Sequence, residues 1–437
     1  LSKRTTLLYD GIMSTSSPDE LACDVLVVGG GPSGASCAYW LAMAGADVVL
    51  VEKKRFPRDK TCGDGLTPRA VVQLEAMGLG TFLQSQHRYV GLRAVAFGRS
   101  YELPWPAHPD YPDYGFVVRR AVLDQAVLER AAEVGADVRT HHEATGIELT
   151  NSAISAVQVR DLDNGHDLRI RARLTVLAEG SNARLARTLG ARRDPAKPLG
   201  LAIRGYSPTP RADEPWIESH LDVRTPSGAV IPGYGWIFPA GDGTANVGFG
   251  ILSSSERWKG INTTHALARF VETTRSSWHF EEEAFPSAPT GGKLPMGLSV
   301  QPVAGPNYLM VGDAASSINP FNGEGISYAY ETGRMAAGAV LQALGSTDLA
   351  PIADFPTLLA RTYGAYYALA RGFVKLVSNP TLMSGGVWLA MRSKWTMVPV
   401  VAGMANLLPG QSAEALERIY GNLQRLRERI VGLARSA

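Results

Sequence analysis

The chain has 437 residues, 45% of them hydrophobic, with 43 Lys and Arg against 41 Asp and Glu. A net charge of +2 gives no electrostatic footprint for nucleic acid, and the length allows a substantial core in two domains with a C-terminal extension. Cys23, Cys37 and Cys62 form no C-x-x-C pair and no zinc-like spacing, so neither a disulfide framework nor a metal site is indicated and a reducing cytoplasm fits.

The lead, 1–21, is polar, lacks the apolar core of a signal peptide and is expected to be mobile. Val25, Leu26, Val27 and Val28 then read as a buried parallel strand. Gly29, Gly31 and Gly34 form a G-x-G-x-x-G turn that lets backbone approach a pyrophosphate at a helix N-terminus. A helix is expected over 35–44 and a second strand over 48–51. That strand ends at Glu52, whose carboxylate can accept from ribose hydroxyls, with Lys53 beside it as a further cofactor contact. Strand, turn, helix, strand and acid in this order mark a dinucleotide site.

The next loop runs Phe56-Pro57-Arg58-Asp59-Lys60-Thr61-Cys62-Gly63-Asp64-Gly65-Leu66-Thr67-Pro68-Arg69. Two glycines flank Asp64 directly beyond Cys62, a backbone that can pass close to a planar ring. Two β-rich excursions follow, 88–118 and 196–294, the second with alternating strands expected over 201–206, 216–223, 235–239 and 245–252. The dinucleotide-binding part is thus discontinuous, over 22–87, 119–195 and 295–349. No second G-x-G-x-x-G follows a strand, so electrons must come from an external donor, either a docked redox protein or a transiently bound nicotinamide.

The remainder, 350–437, reads as helical. Within 380–409 no apolar run is long enough to span a bilayer, and Pro399 is expected to break the second run. Trp388 and Trp395 beside Arg392 and Lys394 suit a segment lying at a membrane interface, helices covering an internal core being the alternative. An amphipathic helix with solvated arginines is expected over 413–433.

A strand at Leu309, Met310 and Val311 leads into Gly312-Asp313-Ala314-Ala315, then Asn319, Pro320, Asn322, Gly323, Glu324, Gly325 and a helical run over 326–344. This resembles the second FAD fingerprint of flavoprotein hydroxylases and reductases. The resemblance implies FAD as cofactor, Asp313 on the ribityl chain, and Pro320, Gly323, Gly325 and Ile326 facing the flavin. Amides at that helix start can stabilise negative charge at the N1–C2=O edge of reduced flavin. Glu179-Gly180, after Val176, Leu177 and Ala178, resembles the Asp-Gly motif of the same flavoproteins, with Glu where Asp is usual. Val118, Arg120, Leu123 and Asp124 match their arginine-bearing helix start. That makes Arg120 a pyrophosphate or flavin contact, a solvated charge at a helix end being the alternative.

The Cys62-to-Arg69 loop, Tyr234-Gly235-Trp236-Ile237-Phe238-Pro239 with Gly248-Phe249-Gly250, and the 319–325 segment together resemble the geranylgeranyl reductase family, which saturates isoprenoid double bonds. The likeness covers 22 to about 345 and is strongest to the menaquinone-reducing actinobacterial branch. Pro232 sits one residue nearer Tyr234 than in the broader pattern. The resemblance implies an α/β fold in which a doubly wound, Rossmann-like FAD-binding domain is interleaved with a β-rich substrate domain, like p-hydroxybenzoate hydroxylase, plus the helical C-terminal region. Its partners would be a prenylated lipid or quinone, the external donor and a membrane surface, in a cytoplasmic, peripherally bound protein.

An isolated trisubstituted alkene is not electrophilic, so hydride delivery needs a proton on the other carbon. A thiol with a pKa of about 8.5 is mostly protonated at neutral pH, making Cys62 the first candidate acid and Asp64 a proton relay. Cys62 and Gly63 would also touch the flavin. Tyr234, Trp236 and Phe238 would line the substrate channel, where π faces offset developing positive charge by about 0.5–2 kcal/mol, plain sheet core being the alternative. Cys23 and Cys37 read as packing. Other readings are a reductase of geranylgeranyl diphosphate or lipid, a flavin monooxygenase or halogenase, and a non-catalytic flavin-binding membrane protein. A halogenase would be expected to carry Trp-x-Trp-x-Ile-Pro where this chain has Tyr234 to Pro239.

Overall fold

The computed structural model describes residues 19–225, 228–252, 260–346 and 348–407. Four aliphatics in a row suit a strand covered on both faces, and Val25, Leu26, Val27 and Val28 sit buried in the first sheet. Their strand, Asp19–Val28, pairs in parallel with Val48–Glu52 on one side and Asp167–Leu177 on the other. Asp137–Thr140 and Tyr308–Met310 extend the parallel run at its two ends. Asp19, Glu20 and Leu21 are already in register with Leu168, Arg169 and Ile170, so the expected lead is three residues too long. Its first 18 residues lie outside the described residues.

The first helix, Pro32–Met43, starts three residues before the expected position because proline is pre-organised for a first helical turn. Helix Ile326–Gly345 crosses it closely enough that a Cβ on Gly333 would lie 2.3 Å from the Ser33 carbonyl oxygen. Both helices therefore point their N-termini toward the C-terminal ends of parallel strands, where ligands bind in doubly wound folds.

Strands from both β-rich excursions join one seven-stranded sheet. Its order is Thr290–Pro295, Leu199–Pro208, Thr244–Leu252, Gly233–Pro239, Trp216–His220, Gly91–Ala96 and Arg99–Pro104. Alternation divides its side chains. Ile203, Ile237, Val247 and Phe249 pack against helix Thr263–Trp278, which the β-rich reading of 196–294 did not anticipate. The opposite face carries three cross-strand rows: Tyr206, Asn246 and Phe238; Arg204, Gly248 and Trp236; Ala202, Gly250 and Tyr234.

The C-terminal region forms helices Phe355–Val377, Pro380–Ala390 and Lys394–Met404. Pro399 lies inside the last of these instead of breaking it; its ring removes one helical bond in a turn whose Trp395 is 85% exposed. Met391, Met397 and Val401 share a buried apolar cluster with Leu103, Trp105 and Ile217. No described helix is long and apolar enough to cross a membrane. The amphipathic helix expected over 413–433 lies outside the described residues.

Candidate active site

The glycine turn is built from close backbone approaches. Gly29 takes φ +107, and a Cβ there would lie 2.4 Å from the Ala178 carbonyl oxygen; one on Gly34 would lie 1.9 Å from the Gly29 carbonyl oxygen. Gly31 differs, because its nearest neighbour would be Arg58 Nη2 at 3.7 Å. No side chain caps the helix that Gly31 opens, so its first amides remain available to a pyrophosphate. Glu52 accepts from the Gly30 and Lys54 N–H groups, each at 2.8 Å, and so holds the turn while keeping lone pairs for a ribose. Lys53 is exposed beside it.

Arg120 is buried and forks onto Asp124, with both bonds at 2.7 Å. Arg58, which sequence reasoning did not single out, adds a 3.1 Å contact to the same carboxylate and stands over the glycine turn. Two guanidiniums sharing one carboxylate leave net positive charge at the place a pyrophosphate requires. Lys60 pairs with Asp313 at 3.2 Å, bringing the Cys62 loop against the second fingerprint.

The sheet face fixes that loop. Asn246 is fully buried; its Nδ2 donates to the Cys62 carbonyl at 2.8 Å and to Asp64 Oδ2 at 2.9 Å, while its Oδ1 accepts from Trp236 Nε1 at 2.9 Å. Tyr206 OH donates to the same Asp64 oxygen at 2.5 Å. Asp64 sits at φ 64, a left-handed conformation that aspartate tolerates, and its N–H donates to Cys62 Sγ at 3.4 Å. Gly63 and Gly65 leave room for Phe238, whose ring would be 3.1 Å from a Cβ on either. The Trp236 ring lies over Gly248, where a Cβ would come within 2.0 Å of it. Burial pushes Asp64 up to about 6, against the pull of Tyr206, Asn246, Arg204 and Arg120. Burial also pushes the Cys62 thiol up, offset in part by Arg120 and Lys60.

The second fingerprint closes the site. Gly323 takes φ +75 and Gly325 opens helix Ile326–Gly345 with no side-chain cap, leaving its first amides open. Tyr234 OH donates to the Asn322 carbonyl at 2.6 Å, joining the aromatic strand to this turn. Glu324 accepts from Thr67 and Ser327. Arg69 binds both oxygens of Glu331 at 2.8 Å, so the two loops are clamped at several points. Pro320 packs at Gly297.

Cys62, Gly63, Asp64, Arg120, Asp313, Gly323, Gly325, Ile326, Tyr234, Trp236 and Phe238 therefore surround one region. Glu179 is engaged elsewhere: its two oxygens accept from the Leu185 and Ala186 N–H groups at 2.8 Å each, capping helix Arg184–Thr188, with Gly180 beside it at φ +71. Its side chain is thus fixed by a helix start. Sequence reasoning missed Asn246, Tyr206 and Arg204. One signal was available, a lone amide inside the apolar run Ala245-Asn246-Val247-Gly248-Phe249.

The glycine cradle, two uncapped helix starts and two buried polar atoms without partners, Asp64 Oδ1 and Tyr330 OH, fit FAD between the sheets. A family model for an FAD binding domain matches residues 22–235, and the protein is an FAD-binding α/β oxidoreductase. A second model, the geranylgeranyl reductase catalytic domain, matches 227–283. The chain belongs to the geranylgeranyl reductase family and is an FAD-dependent prenyl reductase. It is 39% identical to the menaquinone reductase of Mycobacterium tuberculosis over 93% of this chain and 98% of that one. It is 28% identical to the digeranylgeranylglycerophospholipid reductase of Methanosarcina acetivorans, over 75% and 77% of the two chains. A geranylgeranyl bacteriochlorophyll reductase-like structure from Thermoplasma acidophilum matches with TM-score 0.71 at 22% identity, covering 91% of this chain and 96% of that one. A flavin-dependent brominase matches with TM-score 0.71 at 19% identity, over 93% and 100%. The fold is thus shared with halogenases.

Proposed function

We propose that this protein saturates an isoprenoid double bond in the prenyl tail of menaquinone. The observation that carries the reading is the meeting of the Tyr234-Trp236-Phe238 face with the Gly63-Asp64-Gly65 backbone beside Cys62. Such a meeting gives an alkene an aromatic wall on one side and an acid on the other. The likeness to menaquinone reductases over nearly the whole chain supports the quinone over the archaeal lipid.

Bound reduced FAD supplies the hydride, and the chain supplies the rest. Arg58 and Arg120 would hold the pyrophosphate, Asp313 the ribityl chain, and the amides at Gly323 to Ile326 the flavin edge. The Cys62 thiol donates a proton to the less substituted alkene carbon, and the Arg120 and Lys60 charges stabilise the thiolate left behind. Tyr234 and Trp236 face the carbon that becomes cation-like. The electrons for each turnover would come from a separate donor. Mass spectrometry of quinone extracts tests the substrate: incubation with reduced enzyme should add one H2 to the menaquinone tail, and an unchanged tail would sink the assignment.

The C-terminal helices supply a membrane face. Leu382, Trp388, Leu389 and Trp395 are exposed, and Arg392 stacks 4.2 Å over Trp388 beside the exposed Lys394. Interfacial aromatics next to cations suit anionic headgroups, so the protein should act as a peripheral enzyme on the cytoplasmic membrane. Wild-type protein should sediment with anionic vesicles, and Trp388→Ser with Trp395→Ser should release it, cutting activity on vesicle-embedded but not detergent-dispersed substrate. Wild-type protein left wholly in the supernatant would return these residues to a packing role.

A further inference from the structure

We infer that residues 58–62 form a strap across the cofactor cleft that must lift for FAD to enter or leave, and that Asp59 sets how often it lifts. The inference rests on FAD binding alone and holds whichever prenyl substrate the enzyme takes. Residues 53–64 lie between strand Val48–Glu52 and the short strand Gly65–Leu66 and contain no helix or strand of their own. Five consecutive residues of this segment are nevertheless pinned, each to a different part of the fold. Arg58 Nη1 pairs with Asp124 at 3.1 Å, on helix Arg120–Glu133. Asp59 Oδ1 accepts from Arg204 Nη2 at 2.5 Å, on strand Leu199–Pro208, and the same nitrogen donates to the Lys60 carbonyl at 3.1 Å. Lys60 Nζ reaches Asp313 at 3.2 Å in the second fingerprint. The Thr61 hydroxyl lies 3.0 Å from Thr290 Oγ1 on the edge strand Thr290–Pro295, and the Cys62 carbonyl accepts from Asn246 at 2.8 Å.

Asp124 and Asp313 belong to elements packed on the first sheet, whereas Arg204, Asn246 and Thr290 belong to the seven-stranded sheet. The segment therefore ties the two sheets together. It also touches both ends of the site. Arg58 Nη2 stands 3.7 Å from the Cβ position of Gly31, at the first uncapped helix start. Lys60 engages the carboxylate expected on the ribityl chain. A dinucleotide reaching from the Gly31 turn to the open amides after Gly325 must pass beside Arg58 and Lys60.

Burial divides the ion pairs into fixed and moving halves. The Arg204 side chain is 4% exposed against 53% for Asp59, and the Asp313 side chain 14% against 40% for Lys60. The strap thus carries the solvent-facing partner, and the sheets keep the covered one. Water can replace either contact while every helix and strand stays folded, and the covered group remains in place to recapture its partner. Arg58 instead holds a fully buried carboxylate that Arg120 also grips, so lifting begins at Asp59 and Lys60.

The test is FAD exchange by wild type, Asp59→Asn and Thr61→Val, read by flavin fluorescence. Release is followed after dilution of holoprotein, and uptake after mixing apoprotein with excess FAD. Wild-type uptake should level off with FAD concentration, at the rate of strap opening. Release and limiting uptake should rise together, by ~5-fold in Asp59→Asn and ~3-fold in Thr61→Val, leaving affinity nearly unchanged. Charge attraction alone predicts the opposite sign for release from Asp59→Asn, because deleting a negative charge beside the pyrophosphate path should hold FAD more tightly. Hydrogen exchange of the 58–62 amides in the apoprotein should quicken by the same factors. Release from Asp59→Asn that is slowed or within about 1.5-fold of wild type would overturn the inference. So would faster release with slower uptake in either variant, unchanged hydrogen exchange, or wild-type uptake that climbs linearly with FAD throughout.

Discussion

Gly31→Val is expected to give a folded, colourless protein. Gly31 has extended backbone at φ −73 and ψ −178, which valine adopts freely, and its Cβ meets nothing nearer than Arg58 Nη2 at 3.7 Å. The new side chain stands instead over the open amides of helix Pro32–Met43, where the pyrophosphate must lie. Flavin affinity should drop by ~100-fold or more, about 3 kcal/mol, with little change in melting temperature of the apoprotein. Gly34→Ala provides the contrast. Its Cβ would lie 1.9 Å from the Gly29 carbonyl oxygen, so folding itself should fail. Flavin absorbance of the purified variants reads the first effect and a thermal melt the second. Full flavin occupancy in Gly31→Val would remove the pyrophosphate from this turn.

Cys62→Ala should keep its flavin and accept electrons from dithionite, yet lose alkene saturation by ~100-fold or more. The change deletes a proton source and the weak Asp64 N–H contact to the sulfur, while the stronger anchor, Asn246 on the Cys62 backbone carbonyl, remains. Cys62→Ser should retain a trace, since a hydroxyl sits in the same place but is a far weaker acid. Stopped-flow reduction of the flavin and product analysis on the same sample separate the two half-reactions. Wild-type saturation by Cys62→Ala would move the donor role to Asp64, which has the free buried oxygen to take it.

Much of the nucleotide side was legible along the chain, because its physics is local. A strand that must be buried on both faces needs unbroken aliphatics, as at Val25 to Val28, and a turn whose carbonyls lie within a Cβ radius needs glycine, as at Gly29 and Gly34. The boundaries slipped where chemistry at an element's end decides them. Pro32 begins a helix at once, and Asp19 to Leu21 are strand because Leu168 to Ile170 stand beside them. The partners of Glu179 were not visible for a related reason: the motif shows the carboxylate but not the helix start six residues on, whose Leu185 and Ala186 N–H groups it accepts from.

The substrate side depended on pairings between distant segments. Sequence alternation told that Tyr234, Trp236 and Phe238 share a face; only register decided that Asn246 stands opposite Phe238, and Tyr206 opposite Asn246. From those two pairings follow the two donors to Asp64 Oδ2 and the burial that raises it to about 6. Sequence by itself determined the glycine cradle, the cofactor class and the presence of a thiol and a carboxyl in one flexible loop, since each depends on neighbours within a few residues. Tertiary structure alone decided which residues hold that carboxyl, which of its oxygens is left free, and that the 380–404 helices keep Trp388 and Trp395 outward while Met391 and Met397 turn inward. Those outcomes are set by desolvation and by hydrogen bonds across 142 to 184 residues of chain, which no local pattern encodes.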